Sequence, residues 1–188
     1  MKKLLLVFAA LTFSTTWCSA QTFMDPILQM PRDSVSKRVN FISTVPIAGA
    51  TQAELYKAAR AWFVTYFVSG EKVTATLDVD DPATGRLVGT RYIIYRKDNP
   101  QFTVGPNELK NSVIFTPVAG GYRCEVTNFM TYPMKNRPMP LELLSDPRLL
   151  DKKGNLTTTT KQWNEAIIKT ANEQANALNA AVRQATGK

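Results

Sequence analysis

The sequence predicts an α+β domain in which a curved antiparallel sheet carries helices on one face. Three observations predict this class. A strand-like segment is followed by a segment with helical spacing, four more strand-like segments have short connections, and a long amphipathic segment comes last. Consecutive strands with short connections are typical of an antiparallel meander. The predicted order is therefore strand, helix, four strands and helix.

Residues 1–20 have the layout of a cleavable secretory signal. Two lysines are followed by an apolar run, and small residues at Cys18 and Ala20 precede Gln21. The run is shorter than the roughly 20 residues that a membrane-spanning helix needs. We therefore expect cleavage after Ala20 and export to the periplasm or cell envelope of a Gram-negative bacterium, or secretion. Lipidation at Cys18 is not expected, because Trp17 stands where lipoprotein signals need a small residue.

Residues 21–37 are polar and contain prolines, so we interpret them as a flexible leader. The domain is expected to span residues 38–186. Its first strand is Val39–Val45, which is rich in β-branched and aromatic residues. The first helix should begin at Thr51, because Thr51 and Glu54 fit a capping box. Its apolar face recurs at helical spacing, which favours core over a ligand pocket: Leu55, Ala59, Trp62, Phe63 and Tyr66.

The meander begins with a strand whose residues alternate between apolar and polar up to Val79. We place the three strands that follow it at Arg86–Arg96, Asn111–Ala119 and Tyr122–Tyr132. Residues 133–157 contain four prolines and form either a functional connection or a packing segment across one end of the sheet. A long helix over residues 159–185 should lie on the sheet beside or across the first helix.

Composition excludes several classes of function. The chain of 188 residues has no histidine, so the usual general base, catalytic triad and zinc arrangements are missing. After signal removal Cys124 would be the one remaining cysteine, and we predict a buried thiol on a strand. The net charge of +8 is scattered rather than clustered, which argues against nucleic acid as a partner. No cofactor and no metal site are predicted.

Short motifs resemble one domain family. They are Ala53–Phe63 on the first helix, Gly85–Gly89 at the start of the meander's second strand, and Gly121–Cys124 after its third strand. Over about residues 38–132 the sequence resembles the DUF4468 family, a family of exported bacterial domains with a TBP-like fold. The resemblance implies a TBP-like β-α-β4-α fold. It implies no catalytic or binding residues, and a fold does not fix a function.

The function predicted from the sequence is a non-catalytic binding or interaction module of the cell envelope. One hypothesis places its binding patch on the open sheet face, where Arg and Tyr would combine contact area with hydrogen bonding; the alternative is an ordinary solvated face. The residues proposed for this patch are Arg91, Ile93, Tyr95, Arg123 and Phe129.

Two other functions stay open at this stage. The first is a structural envelope protein that docks on a partner protein or an anionic membrane surface without a small ligand. The second, more weakly indicated, is a hydrolase that uses the carboxylates of Asp78, Asp80 and Asp81, although their setting indicates a polar turn. The sequence identifies neither the partner nor the oligomeric state.

Overall fold

The computed structural model describes residues 22–25, 28–67, 73–94, 108–134, 137–145, 151–154 and 158–188. Its elements follow each other along the chain as β1 (Thr22–Met24), β2 (Pro31–Asp33), β3 (Asn40–Pro46), α1 (Gln52–Trp62) with a π-helical turn (Phe63–Phe67), β4 (Val73–Asp81), β5 (Arg86–Ile94), β6 (Glu108–Val118), β7 (Gly121–Met134), β8 (Arg137–Pro140), a 3₁₀ turn (Leu141–Ser145) and α2 (Thr158–Thr186).

One antiparallel sheet forms the base of the domain. Its strand order is β3-β7-β6-β5-β4, and β8 pairs with β7 beside this path. Strands β4 to β7 form the predicted meander. Strand β3, which precedes the meander in the chain, pairs antiparallel with β7. Both long helices pack on one face of the sheet. The predicted α+β class is confirmed, and the predicted order of strand, helix, four strands and helix is present as β3, α1, β4 to β7 and α2, with β1, β2 and β8 in addition.

The N-terminal segment is not the flexible leader that its polar composition indicates. Strands β1 and β2 pair as a hairpin, and Leu28 and Met30 between them are fully buried. The Asp25 carboxylate accepts a hydrogen bond of 2.6 Å from the Leu28 amide. The side-chain amide of Asn164 on α2 donates to the Leu28 carbonyl at 2.7 Å. Two apolar side chains and these polar contacts therefore fix the segment to the domain.

The region predicted as a proline-rich connection, residues 133–157, also contains regular structure. Strand β8 and the 3₁₀ turn lie within it, and Leu141 is fully buried. The carboxylate of Glu142 accepts a hydrogen bond of 2.7 Å from the Val39 amide. This contact joins the turn to the residue before the sheet's outer strand, whereas Leu143 in the same turn is 61% exposed.

Helix α1 begins with the predicted capping box. Thr51 Oγ1 accepts from the Glu54 amide at 3.2 Å, and Glu54 Oε2 accepts from the Thr51 amide at 2.7 Å. Trp62 and Phe63 are core residues, as predicted, with exposed fractions of 4% and 0%. Tyr66 is half exposed. The π-helical turn has more residues per turn than an α-helix, so Phe67 takes the core position that α-helical spacing would give to Tyr66.

Helix α2 buries an apolar stripe together with the polar side chains of Asn164 and Gln174. Ile167, Ala171, Leu178 and Val182 are at most 1% exposed. Gln174 lies among them and forms a reciprocal amide pair with Asn111 on β6, with N···O distances of 2.7 and 3.3 Å. Both amides are thereby satisfied inside the core, where an unpaired amide would be costly.

Cys124 is buried on β7, as predicted, and is 1% exposed. Burial raises the pKa of its thiol to about 12, so the thiol is protonated at neutral pH. Within the described parts of the chain, no helix combines the length and apolar character needed to cross a membrane.

The close contact between α1 and the sheet depends on Gly89 of β5. A Cβ added there would lie 2.6 Å from Phe67 Cε1 and 2.8 Å from Phe63 Cε1. Real Cβ atoms essentially never approach other atoms so closely, so the two rings occupy the space that a side chain would need. Glycine at position 89 therefore sets how near the π-helical turn lies to the sheet.

Gly89→Ala should destabilise the domain by about 1–3 kcal/mol, the usual range for overpacking a core. Urea unfolding measures the loss, and the near-ultraviolet circular dichroism of the aromatic side chains should change with it. Gly120→Ala is the control, because nothing lies within 4 Å of its added Cβ and its φ of +76° alone makes the substitution unfavourable. An unchanged aromatic spectrum in Gly89→Ala would contradict the close contact of the Phe63 and Phe67 rings with the backbone at Gly89.

A candidate binding groove on the helix layer

The five residues predicted for a binding patch do not lie together on the open sheet face. Arg91 and Ile93 lie on the helix side of β5, because they pair with Asn111 and Leu109, which are fully buried. The Arg91 guanidinium lies 5.9 Å from the ring centres of both Tyr66 and Phe67. Their placement on the open face is therefore wrong, and Tyr95 lies outside the described residues.

The two residues predicted for the patch on β7 lie on opposite faces of the sheet. Arg123 is on the open face, as predicted, and forms an ion pair of 3.2 Å with Glu125. Phe129 is 1% exposed and packs edge-on against Phe41, with ring centres 5.8 Å apart. A bulge at Asn128, which has a φ of 55°, shifts the alternation by one residue and turns Phe129 inward.

The open face carries a row of polar side chains that bind one another. Arg38 donates to Asn128 Oδ1 at 2.6 Å, and the Asn128 amide donates to Ser112 Oγ at 3.4 Å. Ser112 Oγ and Thr90 Oγ1 are 3.2 Å apart. The row satisfies much of its own hydrogen-bonding capacity, as buried polar side chains do, since Thr90 and Ser112 are only 8% and 5% exposed.

Aromatic side chains cluster where α1 becomes the π-helical turn. Trp62 lies at the centre, with ring distances of 5.0 Å to Phe63, 5.7 Å to Tyr66 and 5.5 Å to Phe67. The Tyr66 ring stacks on Trp62 with an interplanar angle of 27°. The indole Nε1 of Trp62 is buried and has no acceptor within the described residues. The cluster therefore holds one unused donor.

An open groove of about 610 Å³ runs along this cluster between α1 and α2. The helices are antiparallel, since Lys188 at the end of α2 lies close to Gly49 before α1. Six of the ten lining residues are alanine, and none is charged. The complete lining is Ala58, Ala61, Trp62, Thr65, Tyr66, Ala177, Ala180, Ala181, Gln184 and Ala185.

Charged side chains of both signs accompany the lining residues in the sequence of the two walls. Glu54 and Glu173 precede the lining residues Ala58 and Ala177 by one helical turn, and the basic residues of these walls are Lys57, Arg60, Arg183 and Lys188. Arg60 is engaged by Asp80, with an Nε–Oδ2 distance of 2.8 Å. Arg183 donates to Asn179 Oδ1 and to the Pro46 carbonyl, which are uncharged.

The acidic turn has structural contacts for all three carboxylates. Asp80 faces the helices because a bulge after Leu77 reverses the alternation of β4, and the Tyr56 hydroxyl donates to its Oδ1 at 2.5 Å. Asp81 accepts from the amide of Ala83 and from the turn's threonine, and Asp78 accepts from Thr76. Hydrogen bonds lower the pKa of Asp80 and of Asp81, whereas a general acid needs a raised pKa.

Comparison with known proteins identifies the fold. Residues 41–132 match the model of a family described as a domain of unknown function (DUF4468) with TBP-like fold. A search of curated proteins gave no match. A DUF4468 family protein from Bacteroides ovatus is similar in structure, with a TM-score of 0.58 at 15% identity over 77% of this chain and 86% of that one. A TBP-like protein from Parabacteroides distasonis has a TM-score of 0.55 at 13% identity, over 78% and 93%. The TBP-like fold expected from the family resemblance is thereby confirmed.

Asp80→Asn should lower the free energy of unfolding at neutral pH, and its difference from wild type should shrink in acid. Tyr56 first, and then Arg60, hold the pKa of Asp80 below its usual value of 3.8. A carboxylate whose pKa is lower in the folded than in the unfolded state stabilises the folded protein at pH values above its unfolded-state pKa. This stabilisation is lost as the pH falls through the folded-state pKa. Urea unfolding at a series of pH values measures it.

Tyr56→Phe is the matched variant for this test, because it removes one donor to Asp80 and leaves Arg60 in place. Its difference from wild type should be smaller than that of Asp80→Asn at neutral pH. A difference for Asp80→Asn that stays constant down to strongly acidic pH would contradict the assigned role of the carboxylate.

Proposed function

We propose that this protein, whose residues 41–132 are a DUF4468 domain with the TBP-like fold, is an exported, non-catalytic binding module of the cell envelope. Its binding surface is the groove between α1 and α2. The observation that carries the proposal is an apolar groove of about 610 Å³ whose wall contains Trp62, with a buried indole N–H that has no acceptor within the described residues.

Export is proposed from the N-terminal sequence. A basic start, an apolar run and small residues before Gln21 are the features of a cleaved signal. The buried thiol of Cys124 suits an oxidising compartment, because a thiol that is 1% exposed and held protonated is poorly reactive. The net charge of +8 would also attract anionic surfaces of the envelope.

Binding is favoured over catalysis by the side chains available at the groove. Its walls offer small apolar surfaces, two aromatic rings, a threonine and a glutamine, and no carboxylate or thiol. Tyr and Trp are enriched where proteins bind each other. The side chain of Thr65 already donates to the Ala61 carbonyl at 2.6 Å, so it is not an activated nucleophile.

The partner is proposed to be a polypeptide rather than an enclosed small molecule. Side chains between sheet and helices, such as Phe63, Phe115 and Leu178, are completely buried. The groove instead opens to the solvent between the helices. Small-ligand sites usually enclose most of the ligand surface, whereas an open groove accommodates a chain segment.

Native mass spectrometry of the protein isolated from envelope extract tests this function. We expect a chain that begins at Gln21 and a second, heavier species in which that chain retains a partner. Ala61→Leu, which narrows the groove at an exposed lining residue, should remove the heavier species. Ala53→Leu is the control, because Ala53 is exposed on α1 but does not line the groove.

Two results would contradict the proposal separately. A wild-type chain found only in the free state, or a complex that persists in Ala61→Leu, would reject the groove as the binding surface. A chain that keeps residues 1–20 in the envelope fraction would reject cleavage after Ala20.

A further inference from the structure

We infer that Arg91 forms a second binding site, which takes the carboxylate of a ligand whose apolar part lies against the ring of Tyr66. The site is on the helix side of the sheet, where the π-helical turn meets β5. Arg91 does not line the groove, so the inference stands apart from the proposed function, although Tyr66 borders both places. It follows from a cation that has no acid, from an unused donor and from a half-exposed ring beside them.

The guanidinium of Arg91 has no carboxylate partner within the described residues. Arg91 is nevertheless half-buried, and its Nε is shielded from solvent without an acceptor there. Buried donors that lack an acceptor are costly, and arginine is seldom buried without a charged partner. The ion pairs found in the described residues all join other side chains: Arg32–Asp25, Arg60–Asp80, Arg123–Glu125 and Lys169–Glu173.

The neighbouring strands supply no acceptor for this guanidinium. Arg91 pairs with Ala75 on the edge strand β4 and with Asn111 on β6. The side-chain amide of Asn111 is already engaged by Gln174, with N···O distances of 2.7 and 3.3 Å. Alanine has no polar side-chain atom and is short. The capacity of Arg91 for charge-assisted hydrogen bonds is therefore left for a ligand.

Two aromatic rings hold the guanidinium from the side of the π-helical turn. Its central carbon lies 5.9 Å from the ring centres of both Tyr66 and Phe67, a distance at which a cation is attracted to a ring. Phe67 is fully buried, whereas Tyr66 is 50% exposed. Tyr66 is itself stacked on Trp62, with ring centres 5.7 Å apart. The site thus combines a fixed cation with an accessible aromatic surface.

The chemistry of the site selects a carboxylate with an apolar body. The planar guanidinium matches the two oxygens of a carboxylate, which can accept two parallel hydrogen bonds. A single cation balances one negative charge, whereas a phosphate monoester carries nearly two at neutral pH. The ring of Tyr66 adds an apolar contact next to the charge. Such a carboxylate belongs either to a free organic acid or to the C-terminus of a polypeptide.

The acids of the chain that could compete for Arg91 are identifiable. Glu173 on α2 lies 3.8 Å from Lys169, and its side chain is 65% exposed. Glu71 and Asp98 stand in the segments before β4 and after β5, outside the described residues, and each adjoins a lysine in the sequence. Variants of Glu71 and Asp98 are therefore part of the test.

Two-dimensional NMR of the arginine Nε–H groups tests the inference on the full exported chain. The probes are phenylpropionate with phenylpropionamide, and a short peptide ending in phenylalanine with its C-terminally amidated form. We expect the Arg91 signal, assigned by its loss in Arg91→Gln, to shift saturably with a carboxylate probe, which should bind at least about tenfold tighter than its amide. Phenylpropionate binding indicates a free acid, and binding of the peptide alone indicates a C-terminus.

Matched variants separate the site from general charge, with affinities measured from the ligand's own NMR signals. Arg91→Lys should weaken the carboxylate probe at least about tenfold, because an ammonium lacks the planar fork. Tyr66→Ala should also weaken it and keeps the test open if the first variant does not fold. Arg86→Gln is the control, since it removes the same charge from an exposed position on the same strand. Circular dichroism checks that every variant is folded.

Several outcomes overturn the inference. It fails if no carboxylate probe binds saturably, if the amides bind equally well, or if inorganic phosphate at equal ionic strength gives the same shift. It also fails if Arg91→Lys and Arg86→Gln behave alike. Binding that appears only in Glu71→Gln with Asp98→Asn would show that the chain's own carboxylate fills the site. None of these results bears on the groove, which is tested separately through Ala61→Leu.

Discussion

The contact of two phenylalanine rings with the bare backbone at Gly89 is the constraint on which the helix layer depends. Phe63 and Phe67 occupy the position that a side chain on β5 would take, with the nearest ring atom 2.6 Å from where a Cβ would lie. The π-helical turn presents both rings to the sheet and leaves Tyr66 at the surface. Because Trp62 packs on the same rings, this contact also fixes the aromatic wall of the groove.

Element order and core composition were predictable from the sequence, whereas the faces of two strands were not. Alternation identifies a strand, but a single bulge exchanges its two faces. The bulge after Leu77 turns Asp80 toward Tyr56 and Arg60, and the bulge at Asn128 turns Phe129 into the core. The side chains around a bulge remain ordinary strand residues, so the alternation pattern alone does not reveal the shift.

The candidate site was harder to predict than the fold. Arg91 has the chemistry of an interface residue, but it shares with Gly89 the face of β5 that lies against the helices. The groove is formed mainly by alanines, whose spacing on α1 and α2 indicates only helix surfaces that allow close approach. Its recognition required the pairing of α1 with α2 and the placement of Trp62, which arise from tertiary packing.

A double-mutant cycle between Gly89→Ala and Phe67→Leu tests the central contact most directly. The leucine lacks the ring atom that lies closest to the added Cβ, so the alanine should be much better tolerated beside it. The account predicts a coupling free energy of at least about 1 kcal/mol, measured by urea unfolding of the four proteins. Additive losses of unfolding free energy, with no coupling beyond experimental error, would contradict the claim that the two rings pack directly against Gly89.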